Sequence, residues 1–174
     1  ERYACFDPYH RDEISYARAV LSPQGGCTGE VTEALQTLLK LRLETGEEEG
    51  LFDAQQNARI VVNAENYYRA MLRGDDVSWN VRDSHMLDTL DLLLERFSLE
   101  WKQGKGIVWA HNTHIGDYRA TDMQSAGYVN LGGLARESYG ENEVGLIGFS
   151  TYEGDVIASH SWAGSEEVLR IPPA

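Results

Sequence analysis

Apolar residues in this chain recur mostly three and four positions apart, and only in a few short runs do they stand side by side. From Thr28 onward, Val31, Leu35, Leu38 and Leu39, with Arg42, share one helical face. Thr28 reads as the N-cap, and Glu30 in the first turn suits the positive end of the helix dipole. The acidic, glycine-flanked "ETGEEEG" (44–50) then ends the helix in a solvated loop. A second helix is predicted from Asp53 to Arg73, stopped by Gly74, with a wide face of Ala58, Val61, Ala64, Tyr68, Met71 and Leu72. A third begins near Asp83 or Ser84, either of which can cap it. Its stripe is Met86, Leu87, Leu90, Leu93, Leu94 and Phe97, broken by "KQGKG" (102–106). A weaker helix covers Leu131 to Ser138 and ends at Gly140.

The adjacent apolar runs read as strands. "RYACFDPY" (2–9) is a short strand closed by Pro8, with the loop "SPQGG" (22–26) after it. "IVWA" (107–110) is a second strand. "EVGLIGFST" (143–151) and "DVIASHS" (155–161) are joined through "YEG" as a hairpin. Strands alternating with long helices predict an α/β fold: a mainly parallel sheet flanked by long helices, with a C-terminal β-hairpin.

The 174 residues suffice for one domain with a hydrophobic core. A formal charge of -13 repels phosphate backbones and anionic membranes, so nucleic acid and membrane are not expected partners. No apolar stretch is long enough to cross a bilayer. Two cysteines, Cys5 and Cys27, permit one disulfide without implying it, and read as ordinary cytoplasmic usage. The chain opens on "ERYACFDPY" without an initiator Met, which reads as a boundary inside something larger.

Three places carry candidate chemistry. "WAHNTHIGD" (109–117) sets His111 and His114 where a strand leaves the core, the usual position of ligands in open α/β sheets. Imidazoles move protons near neutral pH, and Asp117 three residues on is placed to orient one. The spacing H-x-x-H-x-x-D also suits a metal in principle, although no third strong ligand announces itself, and a plain polar loop accounts for it too. In "NAENYYR" (63–69), Glu65 interrupts an apolar stripe. It either pairs structurally with Arg69 or faces a polar cleft. In "WNVRDSHM" (79–86), Asp83 reads as an N-cap and Arg82 as a cation held against a helix dipole, suited to an anion or oxyanion. There is no G-x-S-x-G elbow, P-loop, G-x-G-x-x-G or CxxC, and "LGG" (131–133) is too thin for a phosphate loop.

Together with "VGLIGFSTYEGDVIAS", the segments "NAENYYRAML", "SWNVRDSHMLDTLDLLL" and "KGIVWAHNTHIGDYRATDM" resemble the erythromycin esterase family over nearly the whole chain. Its members also carry the label succinoglycan biosynthesis protein. The resemblance implies an α/β core with a deep cleft, and hydrolysis of carboxylic esters by general-base-activated water. The substrate it implies is of the macrolide lactone type, hence antibiotic resistance. No cofactor and no metal are implied. His111 and His114 match the family's paired cleft histidines, Glu65 and Arg82 match polar positions of adjoining motifs, and these four are the expected catalytic residues. Asp117, Asp83, Asn63 and Arg69 are expected to orient or bind substrate. The family's proposed base lies in an N-terminal half with no counterpart here. The sequence is therefore expected to be the C-terminal portion of one such domain, residues 1–174. Its partners would be a small-molecule ester and either that half or a fused phosphoribosyltransferase-like domain. The alternative is a non-catalytic binding fragment holding half a cleft.

Overall fold

The apolar stripes become three long helices in succession. The structure, a computed structural model, describes residues 3–22, 25–46, 50–101, 104–160 and 164–173. A 3-10 turn at Ala4–Tyr9 precedes α1 (Glu13–Ala19), α2 (Thr28–Thr45), α3 (Leu51–Met71) and α4 (Asp75–Trp101). The one-turn α5 (Asn112–Ile115), a 3-10 turn at Tyr118–Ala120 and α6 (Leu131–Tyr139) follow, and then β1 (Gly154–Ala158) and β2 (Glu167–Ile171). α3 packs against both α2 and α4, and α6 rests on α4 and α5. The short links between α2, α3 and α4 are those of neighbouring helices folded back on one another. No helix among the described residues is long and apolar enough to cross a membrane.

The best-buried apolar cluster lies where α1 meets α2 and α3. Tyr16, Val20, Cys27 and Val31 form it, with Phe6, Tyr9, Val61 and Tyr68 packed around. The Tyr16 ring takes edge contacts from Tyr9 and Tyr68 and a tilted one from Phe6. Cys5 and Cys27 are joined as a disulfide, with Cα atoms 5.7 Å apart. They are not the two free thiols that ordinary cytoplasmic usage suggests.

Several expectations are corrected. Residues 4–9 form a 3-10 turn with Pro8 inside it, not a strand. Cys27 rather than Thr28 is the N-cap of α2, because the Thr28 hydroxyl is committed to Glu65. α4 begins at Asp75, straight after Gly74, with Asp75 and Asp76 in its first turn where the dipole favours carboxylates. Asp83 is therefore an interior helix residue and no N-cap of α4, and Arg82 does not oppose a helix dipole. The parallel sheet is not seen among the described residues, whose single sheet is the antiparallel pair β1–β2, with Gly154 opposite Ile171. The C-terminal hairpin exists, but the segment read as its second strand is its first.

The two runs expected as core strands find no ladder partner among the described residues. Ile107 is 94% exposed, Trp109 85% and Ile147 71%. They lie beside one another: Asn112 donates to the Phe149 carbonyl at 2.5 Å and accepts from its N–H at 3.2 Å, and the Trp109 and Phe149 rings are 5.7 Å apart. Apolar sequence marks a strand only when a neighbouring strand completes it. Parts of "SPQGG", "ETGEEEG" and "KQGKG", the first two residues and the end of "DVIASHS" lie outside the described residues.

Candidate active site

The quoted histidine loop is held from below by α4. Trp79 and Asp83 are one turn apart on that helix, so they share a face. Asp83 is fully buried. Its carboxylate meets Nδ1 of His114 at 2.8 and 3.0 Å and accepts the N–H of Leu131 at 2.9 Å. The second bond satisfies a free donor at the start of α6. One carboxylate thus joins α4, the histidine turn and α6.

That contact decides the His114 tautomer. A carboxylate only accepts, so Nδ1 carries a proton, and in the neutral ring the lone pair is on Nε2. Nε2 has no hydrogen-bond partner among the described residues, and the side chain is 13% exposed. Trp79 lies flat on the imidazole, with centroids 4.6 Å apart and planes within 3°.

His111 has the opposite arrangement. It caps α5 by accepting the Thr113 N–H at Nδ1, 3.3 Å away, with the Thr113 hydroxyl at 2.9 Å. A backbone N–H only donates, so His111 Nδ1 holds the lone pair and Nε2 carries the proton. In their neutral forms the two imidazoles therefore differ at Nε2, a donor in His111 and an acceptor in His114.

The turn is fixed by residues the sequence reading passed over. Asn130, buried, donates to the Thr113 carbonyl, accepts from Tyr118 and caps α6 by accepting the Gly133 N–H. Gly132 and Gly133 let α6 come close: a Cβ on Gly132 would stand 2.2 Å from the Gly116 carbonyl oxygen. The glycine pair "GG" was the signal, its use being close approach and not phosphate binding.

Comparison with family profiles matches residues 1–174 under the description Erythromycin esterase. The chain belongs to the erythromycin esterase family. No solved structure matches the chain.

The other site residues named from sequence divide between two places. Arg82, half-buried, lies over the rings of Tyr67 and Trp79, each centroid 5.8 Å from its guanidinium, with no carboxylate partner among the described residues. Asn63 is half-buried on α3, and its side chain makes no hydrogen bond among the described residues. Glu65 points to the other flank of α3, two residues and some 200° from Tyr67. It is buried and accepts from Arg69 (2.7 Å), Thr28 (2.9 Å) and Tyr16 (3.1 Å). Arg69 also donates to the carbonyls of Val20 and Gly25. Burial pushes the Glu65 carboxyl up, but the bonds from Arg69, Thr28 and Tyr16 outweigh it and hold it below its ordinary value. Burial likewise raises the Tyr16 hydroxyl.

Asp117 does not orient an imidazole. It pairs with Arg119 at 2.7 Å and Arg136 at 3.3 Å, and the Arg119 bonds hold it well below the usual carboxylate range. Among the described residues, no three His, Cys, Asp or Glu side chains converge as metal ligands, so His111, His114 and Asp117 do not form the set their spacing allowed.

Proposed function

We propose that the protein contributes the acid–base half of a carboxylic-ester hydrolase. Nε2 of His114 takes a proton from water, and the water oxygen attacks the ester carbonyl carbon. The Nε2–H of His111 and the guanidinium of Arg82 steady the oxyanion. The imidazolium of His114 then returns its proton to the departing alkoxide as the tetrahedral intermediate collapses. Asp83 keeps the His114 tautomer fixed throughout, and Asn63 contacts substrate. Glu65 and Arg69 hold α3 to α1 and α2, and Asp117 holds the loop after the histidines. The observation that carries this reading is the buried Asp83 carboxylate on Nδ1 of His114. Family membership supports an ester as substrate, and a macrolide lactone is the ester to try first.

A second reading, a binding fragment that needs another polypeptide to complete its cleft, draws on the exposed runs around Trp109 and Phe149. The cytoplasmic location expected from two thiols loses its argument, because bonded cysteines persist chiefly in oxidising compartments.

The test is incubation with a macrolide lactone and mass spectrometry for the gain of one water, for this chain and for one extended at its N-terminus. Hydrolysis that disappears in His114→Ala supports the esterase. Hydrolysis by the longer chain alone supports the incomplete-cleft reading. Turnover untouched by His114→Ala would end the assignment of His114 as base.

A further inference from the structure

We propose that Trp79 is a positioning residue for His114, fixing the plane of the imidazole and hence the direction of its Nε2 lone pair. The inference rests on the esterase reading only for its catalytic consequence; the geometry stands apart from it.

Asp83 alone does not fix the ring. A hydrogen bond at Nδ1 sets where that atom lies, yet the imidazole can still tilt about the line from Nδ1 to the carboxylate. A flat surface against the ring face removes this freedom. Trp79 supplies it, with the two planes within 3° of parallel. The surface must itself be immobile, and here it is. The indole N–H donates to the Val129 carbonyl at 2.7 Å, and Tyr128 meets the indole edge-on at 6.2 Å. The neighbouring Asn80 sews the same segment to α4, donating to the Gly127 carbonyl and accepting the Val129 N–H, both at 2.8 Å. The indole therefore cannot turn without breaking a bond to a segment held at two further points. Trp79 also meets the Arg82 guanidinium, 5.8 Å from its ring centroid, so its effect on His114 is read at the imidazole itself. Its own polar atom is spent on Val129.

The experiment follows the imidazole directly, by ¹⁵N NMR of histidine-labelled protein, in the wild type, Trp79→Phe and Trp79→Leu. Wild type is expected to show His114 as the Nδ1–H tautomer with a slowly exchanging Nδ1 proton. Trp79→Phe keeps a ring on the imidazole and loses the indole N–H that pins it, so its Nδ1 proton should exchange at a rate between those of wild type and Trp79→Leu while the melting temperature falls. Trp79→Leu loses the ring, and exchange should rise about two- to tenfold, the loss of one aromatic pair expressed as a ratio. Exchange in Trp79→Leu equal to wild type would overturn the proposal. So would Trp79→Phe exchanging as fast as Trp79→Leu, since a ring on the imidazole would then contribute nothing. Should Trp79→Leu fail to fold, Trp79→Met, which also lacks a flat face, takes its place with the same expected outcomes. Ester turnover is read on the same samples. NMR effects without turnover in wild type would remove the esterase reading and leave Trp79 in place. Turnover with no NMR effect would do the reverse.

Discussion

Asp83 and His114 are 31 residues apart in sequence and 2.8 Å apart in the fold, and the same carboxylate anchors the first N–H of α6. Replacing Asp83 with Asn keeps an acceptor for Leu131 but gives His114 an ambiguous partner. Ester turnover should drop roughly 10²- to 10⁴-fold, the range spanned by general acid–base catalysis. Circular dichroism should change little. Steady-state assays on Asp83→Asn beside wild type check this, and unchanged kcat would show that the contact is structural only.

The two histidines should not be equivalent. His114→Ala removes the Nε2 lone pair of the ring that Asp83 holds at Nδ1 and should cost about 10²- to 10⁴-fold in kcat. His111→Ala removes a donor and an exposed cap, so its loss should be smaller and partly restored by His111→Asn. Assaying the three variants side by side settles the order. A larger loss in His111→Ala would reverse the roles.

Glu65 ties stability to acid pH. Its folded-state value is depressed, so its contribution is complete above the range of an unfolded carboxylate, about 4.3. The contribution declines below that range and is lost as pH falls through the lower folded value. Glu65→Gln should cost about 1.5–3 kcal/mol at neutral pH, as expected for a charged hydrogen bond, and flatten the acid limb of the stability curve. Urea titrations between neutral and acid pH measure both effects.

His85 works in a milder window. Burial lowers its value, Arg59 adds to this, and Asp88 opposes it. Stability from the neutral ring is complete above about pH 6.5 and is lost as pH falls through the depressed folded value. His85→Gln should remove this loss, visible as a smaller drop in melting temperature between pH 7.5 and about pH 5.5.

Reduction should loosen the α1 corner. The Cys5–Cys27 bond spans 22 residues, and opening such a loop costs about 3 kcal/mol, or roughly 6–12 °C in Tm at this size. Melting curves with and without reductant report it. A Tm that does not move would mean that the tyrosine cluster holds the corner unaided.

The helices were legible because their stripes repeat over many turns, as from Val31 to Leu39 and from Met86 to Phe97. The start of α4 was not. "DDVSWNV" has weak apolar periodicity, and what makes it helical is the first-turn acid pair and the contacts of Trp79 and Asn80 with 127–129. The sheet was misread for a physical reason. Runs such as "IVWA" have the composition of buried strands, but composition carries no information on which partner strand completes them. In the site, His111 and His114 stood out by type and spacing. The residue orienting His114 did not, since Asp117 is near in sequence and Asp83 near only through the packing of α4.

Trp79 and Asp83 differ by four positions on α4, which places them about 40° apart around the axis and about 6 Å apart along it. The flat support and the polar support for His114 are therefore set by the phase of one helix. A residue inserted between them would swing one by about 100° relative to the other, and no adjustment of the loop at 111–117 could satisfy both. The loop itself is held on either side of the histidine, at its Thr113 carbonyl by Asn130 and at Asp117 by Arg119 and Arg136. The geometry of the histidine is thus written in the winding of a neighbouring helix, and the loop that bears the histidine only carries it there.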